Sequence, residues 1–129
     1  MSTTDPVEPI PQLDPTQAAD RLAQDAADGA APMLVDVREL HELVAVRAPG
    51  SVHVPLSNFA LGMRELPRDR PALIICNSGQ RSLVAAEFLR RHGQVEVVNV
   101  TGGIIEWQRR GLPVVSGPLE PGEGRLPPG

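Results

Sequence analysis

Residues 72–92 constrain the fold more than any other part of this chain. Ala72-Leu73-Ile74-Ile75-Cys76 is a short, unbroken apolar run, the length of a strand buried on both faces. It passes directly into the polar turn Asn77-Ser78-Gly79-Gln80-Arg81 and then into Ser82–His92. In that second segment Val84, Phe88 and, more loosely, Leu89 fall on one side at helical spacing, with Arg90 and Arg91 near the C-terminal end and Gly93 as the stop. A buried strand that turns within a few residues into an amphipathic helix is half of a βα unit. Such a unit calls for parallel neighbours reached by crossovers.

The rest of the chain supplies those neighbours. Met33–Val37, Ser51–Val54 and Val95–Val100 read as further strands. Between them, 39–45, 56–66 and 103–110 read as helices, the second ended by Pro67 and the third closed by Gly111. Asp14-Pro15-Thr16-Gln17 is a helix start, with Asp14 as N-cap, Pro15 at N1 and Gln17 at the reciprocal N3 position. Ala18, Leu22 and Ala26 continue that helix as a stripe, and Gly29 is its stop. The expected architecture is a three-layer α/β/α domain over residues 14–115 with a mainly parallel central sheet. Residues 1–13 carry Pro6, Pro9 and Pro11 and are expected to be a loose arm. Residues 116–129, dominated by Pro and Gly, are expected to be a flexible tail.

Composition narrows the function classes. The core is aliphatic, with only Phe59, Phe88 and Trp107 as aromatics, and Trp107 is expected to anchor the last helix. Residues 1–30 hold six acids and one Arg, while the remainder holds ten acids and eleven Arg, so the net charge of −4 belongs to the N-terminal segment. No basic stripe interleaved with aromatics is present, so nucleic acid is not an expected partner. All twelve basic residues are Arg, which leaves no Lys for Schiff-base or general-base work. No apolar run approaches the ~20 residues of a membrane helix, and the first residues lack the charged and apolar regions of a secretory leader. With a single Cys excluding an intramolecular disulfide, a reducing cytoplasm is the expected location. No nucleotide-binding Gly motif occurs. His41, His53 and His92 have no metal-ligand spacing with Cys76, so neither metal nor cofactor is expected.

Chemistry concentrates in Cys76 to Ser82. A strand brings the sulfur to the edge of the sheet, where ligands bind in open α/β folds. Gly79 allows the backbone to curl through positive φ, so that successive N–H groups of Asn77, Ser78, Gly79 and Gln80 form an anion-binding nest. The helix that follows adds its unsatisfied N–H groups and positive dipole end. Arg81 supplies a permanent cation, and Ser78 and Ser82 supply hydroxyls. A helix N-terminus alone is worth up to ~2 kcal/mol. Lowering a thiol from about 8.5 to about 7 raises its ionised share at neutral pH from about 3% to about half. A lone Cys at a strand end is commonly structural; this loop points instead to a nucleophile.

Four separated stretches carry a resemblance to the single-domain rhodanese family. Leu34-Val35-Asp36-Val37-Arg38-Glu39 resembles its first-strand signature, and Pro49-Gly50-Ser51-Val52-His53-Val54-Pro55-Leu56 its second. Cys76–Ser82 is similar to its active loop, and Gly102-Gly103-Ile104, Trp107 and Gly111-Leu112-Pro113-Val114 to its closing signature. The resemblance covers about Asp14 to Val115. It implies a sulfurtransferase in which Cys76 takes sulfur from a small donor, such as thiosulfate, mercaptopyruvate or a glutathione persulfide. The persulfide then passes its sulfur to a thiol, cyanide or protein-Cys acceptor. It also implies that Asn77–Arg81 form the cradle, that Arg81 closes the loop, and that Asp36 and Arg38 are a structural pair near the site.

Two departures bear on the donor. Where the family often has Gly-His-Ile this chain has Val46-Arg47-Ala48, making Arg47 a candidate cation at the pocket rim. Many members carry Arg directly after the Cys, whereas Asn77 is neutral, which implies a less cationic pocket and a weaker hold on thiosulfate. Glu39 and Glu42 read as a solvated helix face. Two alternatives stay open: a Cys-Arg phosphatase or arsenate reductase, whose related loops are one residue longer, and a non-catalytic docking module.

Overall fold

The computed structural model describes residues 8–24 and 31–126. Five strands form one sheet: β1 (Gln12–Leu13), β2 (Met33–Asp36), β3 (Val52–His53), β4 (Ala72–Ile75) and β5 (Val97–Val100). Their order is β1-β5-β4-β2-β3, and every ladder is parallel. The helices are α1 (Pro15–Gln24), α2 (Leu40–Ala45), α3 (Phe59–Gly62), α4 (Arg81–Arg91) and α5 (Gly103–Arg109).

The two-residue period of a strand sorts side chains into two cores. Met33, Val35, Ala72, Ile74 and Cys76 face one side, where they meet Ala85, Ala86 and Leu89 of α4 together with Phe59 and Met63. Leu34, Leu73, Ile75, Val98 and Val100 face the other, where they meet Ala18 of α1 and Ile104 and Trp107 of α5. The three-layer α/β/α expectation holds. The central strands β2, β4 and β5 are buried at every residue, as a sheet covered on both faces requires.

Local signals explain most elements. Asp14 and Gln17 form the reciprocal cap, Gln17 N–H donating to Asp14 Oδ1 at 2.8 Å and Asp14 N–H to Gln17 Oε1 at 2.9 Å. Ala26 and Gly29, expected to extend and stop that helix, lie outside the described residues. Trp107 is buried and its indole N–H donates to Pro113 O at 2.9 Å, which fastens the chain after α5.

Several expectations need correction. The helix expected over 56–66 is instead a 3₁₀ turn, the four-residue α3 and a second 3₁₀ turn. Val84 is exposed, because α4 lies close on the sheet through its small residues Ser82, Ala85 and Ala86 and turns Val84 outward. The N-terminal arm is not loose at its end. Pro11 O and Leu13 O accept the N–H groups of Asn99 and Thr101 at 2.9 Å each, and Ile10 is buried. An edge strand on β5 satisfies backbone groups that would otherwise be bare.

Residues 116–126 of the expected tail are docked rather than free. Arg47 pairs with Val115 in an antiparallel bridge, Gly117 N–H donates to Val44 O at 2.7 Å, and His53 N–H donates to Gly124 O at 2.8 Å. Leu126 packs against the core. Arg47 is the physical reason. It is 4% exposed, and a cation buried that deeply requires a carboxylate and carbonyls around it. Glu123 accepts from its Nε and Nη2 at 2.5 and 2.9 Å, and Gly117 O and Leu43 O accept from Nη1.

Candidate active site

Cys76 follows the last residue of β4, and α4 starts five residues later at Arg81. Between them the backbone curls, with Gly79 at φ +101°. The curl works because its carbonyls are held outward. Cys76 O accepts the Ile104 N–H at 2.8 Å and Asn77 O accepts the Ile105 N–H at 3.2 Å, both from the first turn of α5. Gly79 O accepts from Asn99 Nδ2 at 3.2 Å. With those oxygens engaged, the N–H groups are left to face the sulfur. Gly79 N–H donates to Cys76 Sγ at 3.0 Å, and the Ser82 hydroxyl lies 3.3 Å from Sγ.

The Gly102-Gly103 pair makes this approach possible. Gly103 has φ +58°, and a Cβ there would fall far inside contact distance of the carbonyl oxygens of Cys76 and Asn77. Only glycine lets α5 come close enough to cap the loop.

Two effects oppose each other at the thiol. Burial pushes the Cys76 thiol up, but hydrogen bonds from the Ser82 hydroxyl and from the N–H groups of Ser82, Gly79 and Ser78 outweigh burial and hold it below its ordinary value of 9.0. The residue is 1% exposed. Lowering a thiol raises the share present as thiolate, the form that acts as a nucleophile.

The other anticipated residues divide in two groups. Ser78, Gly79 and Ser82 surround the sulfur, Ser78 acting through its backbone N–H. Asn77 and Gln80 are exposed on the outer side of the curl, and Gln80 is the N-cap of α4 without a side-chain cap bond. Asp36 and Arg38 form a buried pair one strand away, with Arg38 Nη2 2.8 Å from Asp36 Oδ2 and further bonds to Val46 O and Glu42 O. Arg47, read as a rim cation, is turned into the fold and engaged by the tail, so it brings no charge to the loop mouth.

Arg81 also has a partner that the sequence did not reveal. Its Nη1 and Nη2 donate to the two carboxylate oxygens of Glu42 at 2.9 and 2.7 Å. Glu42 is therefore not part of a solvated face. Its side chain also accepts the Glu39 N–H as N3 of a capping box on α2, and the Arg81 hydrogen bonds, with that of Glu39, hold it down to about 2. A second overlooked residue is Asn99, 1% exposed on β5 and bonded to the Ser82 hydroxyl. Its signal was a lone polar residue inside the apolar run Val97-Val98-Asn99-Val100. A cavity of about 740 Å³ lies at the opposite sheet edge, between β3, α3 and the tail, and no residue of the Cys76 loop lines it.

Residues 14–110 match the Rhodanese-like domain family. This chain is a rhodanese-like protein. It is 38% identical over 98 residues to a sulfurtransferase of Allochromatium vinosum, an alignment covering 76% of this chain and 92% of that one. Its fold is similar to a rhodanese-related protein from Thermoplasma volcanium, with a TM-score of 0.69, 32% identity, and coverage of 81% of this chain and 97% of that one. A solved protein of M. tuberculosis matches with a TM-score of 0.70 and 28% identity, covering 85% of this chain and all of the other. Among the described residues of this rhodanese-like chain, no helix is long and apolar enough to cross a membrane.

Proposed function

We propose that this rhodanese-like chain is a sulfurtransferase that carries sulfane sulfur on Cys76. The observation that carries the reading is the convergence of backbone N–H donors on the sulfur of Cys76 at the start of an eleven-residue helix. A thiolate so held attacks the outer sulfur of a donor. The donor's bond to that sulfur breaks (S–S in thiosulfate or a persulfide, C–S in mercaptopyruvate), its electron pair leaves with the departing sulfite, thiolate or enolate, and Cys76 becomes a persulfide. The charge of the terminal sulfur then sits among the same N–H groups and the dipole of α4.

The chain has one thiol, so the persulfide has no internal Cys with which to form a disulfide. An external nucleophile (cyanide, a small thiol or a protein Cys) discharges it. The tight seat of Cys76 favours slim donors that approach end-on, such as thiosulfate, mercaptopyruvate or a glutathione persulfide. With Arg81 already neutralised by Glu42 and Arg47 engaged by the tail, a strongly anionic donor gains little charge attraction, which favours persulfidic donors over thiosulfate. Four residues, Asn77 to Gln80, separate Cys76 from Arg81. That ring suits one terminal sulfur better than the three oxygens of a phosphoryl group.

Intact mass after incubation with each donor tests the reading. One reducible sulfur atom should add to the wild type and none to Cys76→Ser. Sulfur transfer by Cys76→Ser at the wild-type rate would overturn it.

A further inference from the structure

Asn99 lies on β5, the strand beside β4, and reaches the sulfur through one intermediary. Its Oδ1 accepts the Ser82 hydroxyl, and its Nδ2 donates to Gly79 O at 3.2 Å and to Gln12 Oε1 at 3.1 Å. The amide orientation is not free. Gly79 O is a carbonyl that only accepts, so the NH₂ must face it and the oxygen must face Ser82. Ser82 has one hydroxyl proton, and Asn99 takes it. The Sγ···Oγ contact of 3.3 Å then has only one sense while the sulfur is neutral: Cys76 S–H donates and Ser82 accepts.

We propose that Asn99 is a positioning residue for the Cys76 chemistry, holding the Ser82 hydroxyl proton away from the sulfur while Sγ is neutral and yielding it when Sγ becomes a thiolate. The inference rests on the sulfur-carrier reading above. In the persulfide, Sγ is neutral, bonded on both sides and a poor acceptor, so the hydroxyl stays with Asn99. When an acceptor attacks the terminal sulfur, the S–S bond breaks and its electron pair remains on Sγ. The Ser82 O–H then swings from Asn99 Oδ1 to the new thiolate. The hydroxyl tracks the charge on one atom, and Asn99 sets how strongly it is held back. Gln12 of β1 and Gly79 of the loop keep the amide from rotating, which gives the edge strand a part in the site.

The proposal predicts the sign of an effect. If Asn99 competes with the thiolate for one proton, removing its oxygen frees Ser82 and eases ionisation. If Asn99 merely braces Gly79, its loss loosens the nest and makes ionisation harder. Arg81, which interacts electrostatically with Cys76, is paired with Glu42, and the buried Asp36–Arg38 pair lies at the end of the neighbouring strand. Both pairs remain intact in an Asn99 variant.

The experiment is the pH dependence of Cys76 alkylation by a small haloacetamide in wild type, Asn99→Leu, Ser82→Ala and the double variant, each checked for native circular dichroism. Asn99→Leu should lower the midpoint by about one pH unit, roughly tenfold in the thiolate-to-thiol ratio below it. In the Ser82→Ala background the same substitution should shift nothing. A raised or unchanged midpoint in Asn99→Leu, or an equal shift without Ser82, would overturn the proposal. Should Asn99→Leu not fold, the infrared S–H stretch of wild type decides, since the lone Cys makes the band assignable. At pH below the midpoint it should lie at the frequency of a hydrogen-bonded thiol and return to the free value in Ser82→Ala. A free-thiol band in wild type would overturn the proposal. Both measurements read the thiol without any sulfur donor, so failure to load sulfur would count against the function alone.

Discussion

Arg81 and Glu42 meet through both terminal nitrogens and both carboxylate oxygens, at 2.9 and 2.7 Å. The cation at the end of the Cys76 loop is thus balanced by a carboxylate from α2, thirty-nine positions earlier. Its contribution is more geometric than electrostatic, since the fork ties the first turn of α4 to the first turn of α2.

Acid should break that tie in a definite window. Glu42 is held down to about 2 against an ordinary 4.5. A depressed carboxyl stabilises the fold above 4.5, and the gain is lost as pH falls from there towards 2. Arg81 is 37% exposed, so solvent screening reduces the gain to about 1 kcal/mol. Denaturant titrations at pH 6 and pH 3 should show this loss in wild type and not in Glu42→Gln.

Removing Arg81 has a separate consequence. Arg81→Ala leaves the Glu42 carboxylate facing the loop without its partner, so the alkylation midpoint of Cys76 should rise. Arg81→Lys keeps the charge and loses the fork, so persulfide formation should slow with little change in midpoint. An unmoved midpoint in Arg81→Ala would remove the pair from the electrostatics of the site.

Cys76 itself links pH to stability. Its thiol lies below 9.0 in the folded chain because hydrogen bonds from Ser82, Gly79 and Ser78 outweigh burial. The thiolate therefore stabilises the fold fully above 9.0, and that gain disappears as pH falls through the lowered value. Wild type and Cys76→Ala should diverge in melting temperature as pH rises from 6 to 9. Parallel curves would show that the nest does not favour the anion.

Two glycines separate backbone strain from close approach. Gly50 has φ +81° with nothing within 4 Å of where a Cβ would stand, while a Cβ on Gly103 would strike the Cys76 and Asn77 carbonyls. Gly50→Ala should cost about 1 kcal/mol, the price of a left-handed alanine. Gly103→Ala should cost at least about 2 kcal/mol more and should slow sulfur loading, because α5 can no longer cap the loop. Equal costs would mean that the loop shifts freely.

The tail should come loose when Arg47 is replaced. Arg47→Met removes the guanidinium that donates to Glu123, Gly117 O and Leu43 O. Breaking one side of a buried pair is strongly destabilising, and cleavage within 116–126 by added protease should become roughly tenfold faster. Sulfur loading at Cys76 should be unchanged, since the tail lines a cavity away from the loop.

Where a signal was local, the sequence was sufficient. The apolar run of β4 and the Asp14–Gln17 cap depend on residues within a few positions of each other, and each forms as read. The same holds for the alternation that sorts Leu73 and Ile75 from Ile74 and Cys76. Misreadings fell where a polar side chain finds its partner far along the chain. Glu42 looked solvated without Arg81, Arg47 looked like a rim cation without Glu123, and the Pro- and Gly-rich end looked loose without Arg47 to receive it.

The sequence by itself determined that a thiol would stand at a strand end before a helix, because strand, turn and helix are all written in adjacent residues. Only the tertiary structure decided what that thiol touches. Gly103 turns the loop carbonyls away, Asn99 from the next strand holds the Ser82 proton, and Glu42 from another helix takes the charge of Arg81. Those contacts arise when parallel strands come into register and bring helix starts to one edge of the sheet. Hydrogen bonds depend on that final placement to within a fraction of an ångström, and nothing in the order of residues along the chain records it.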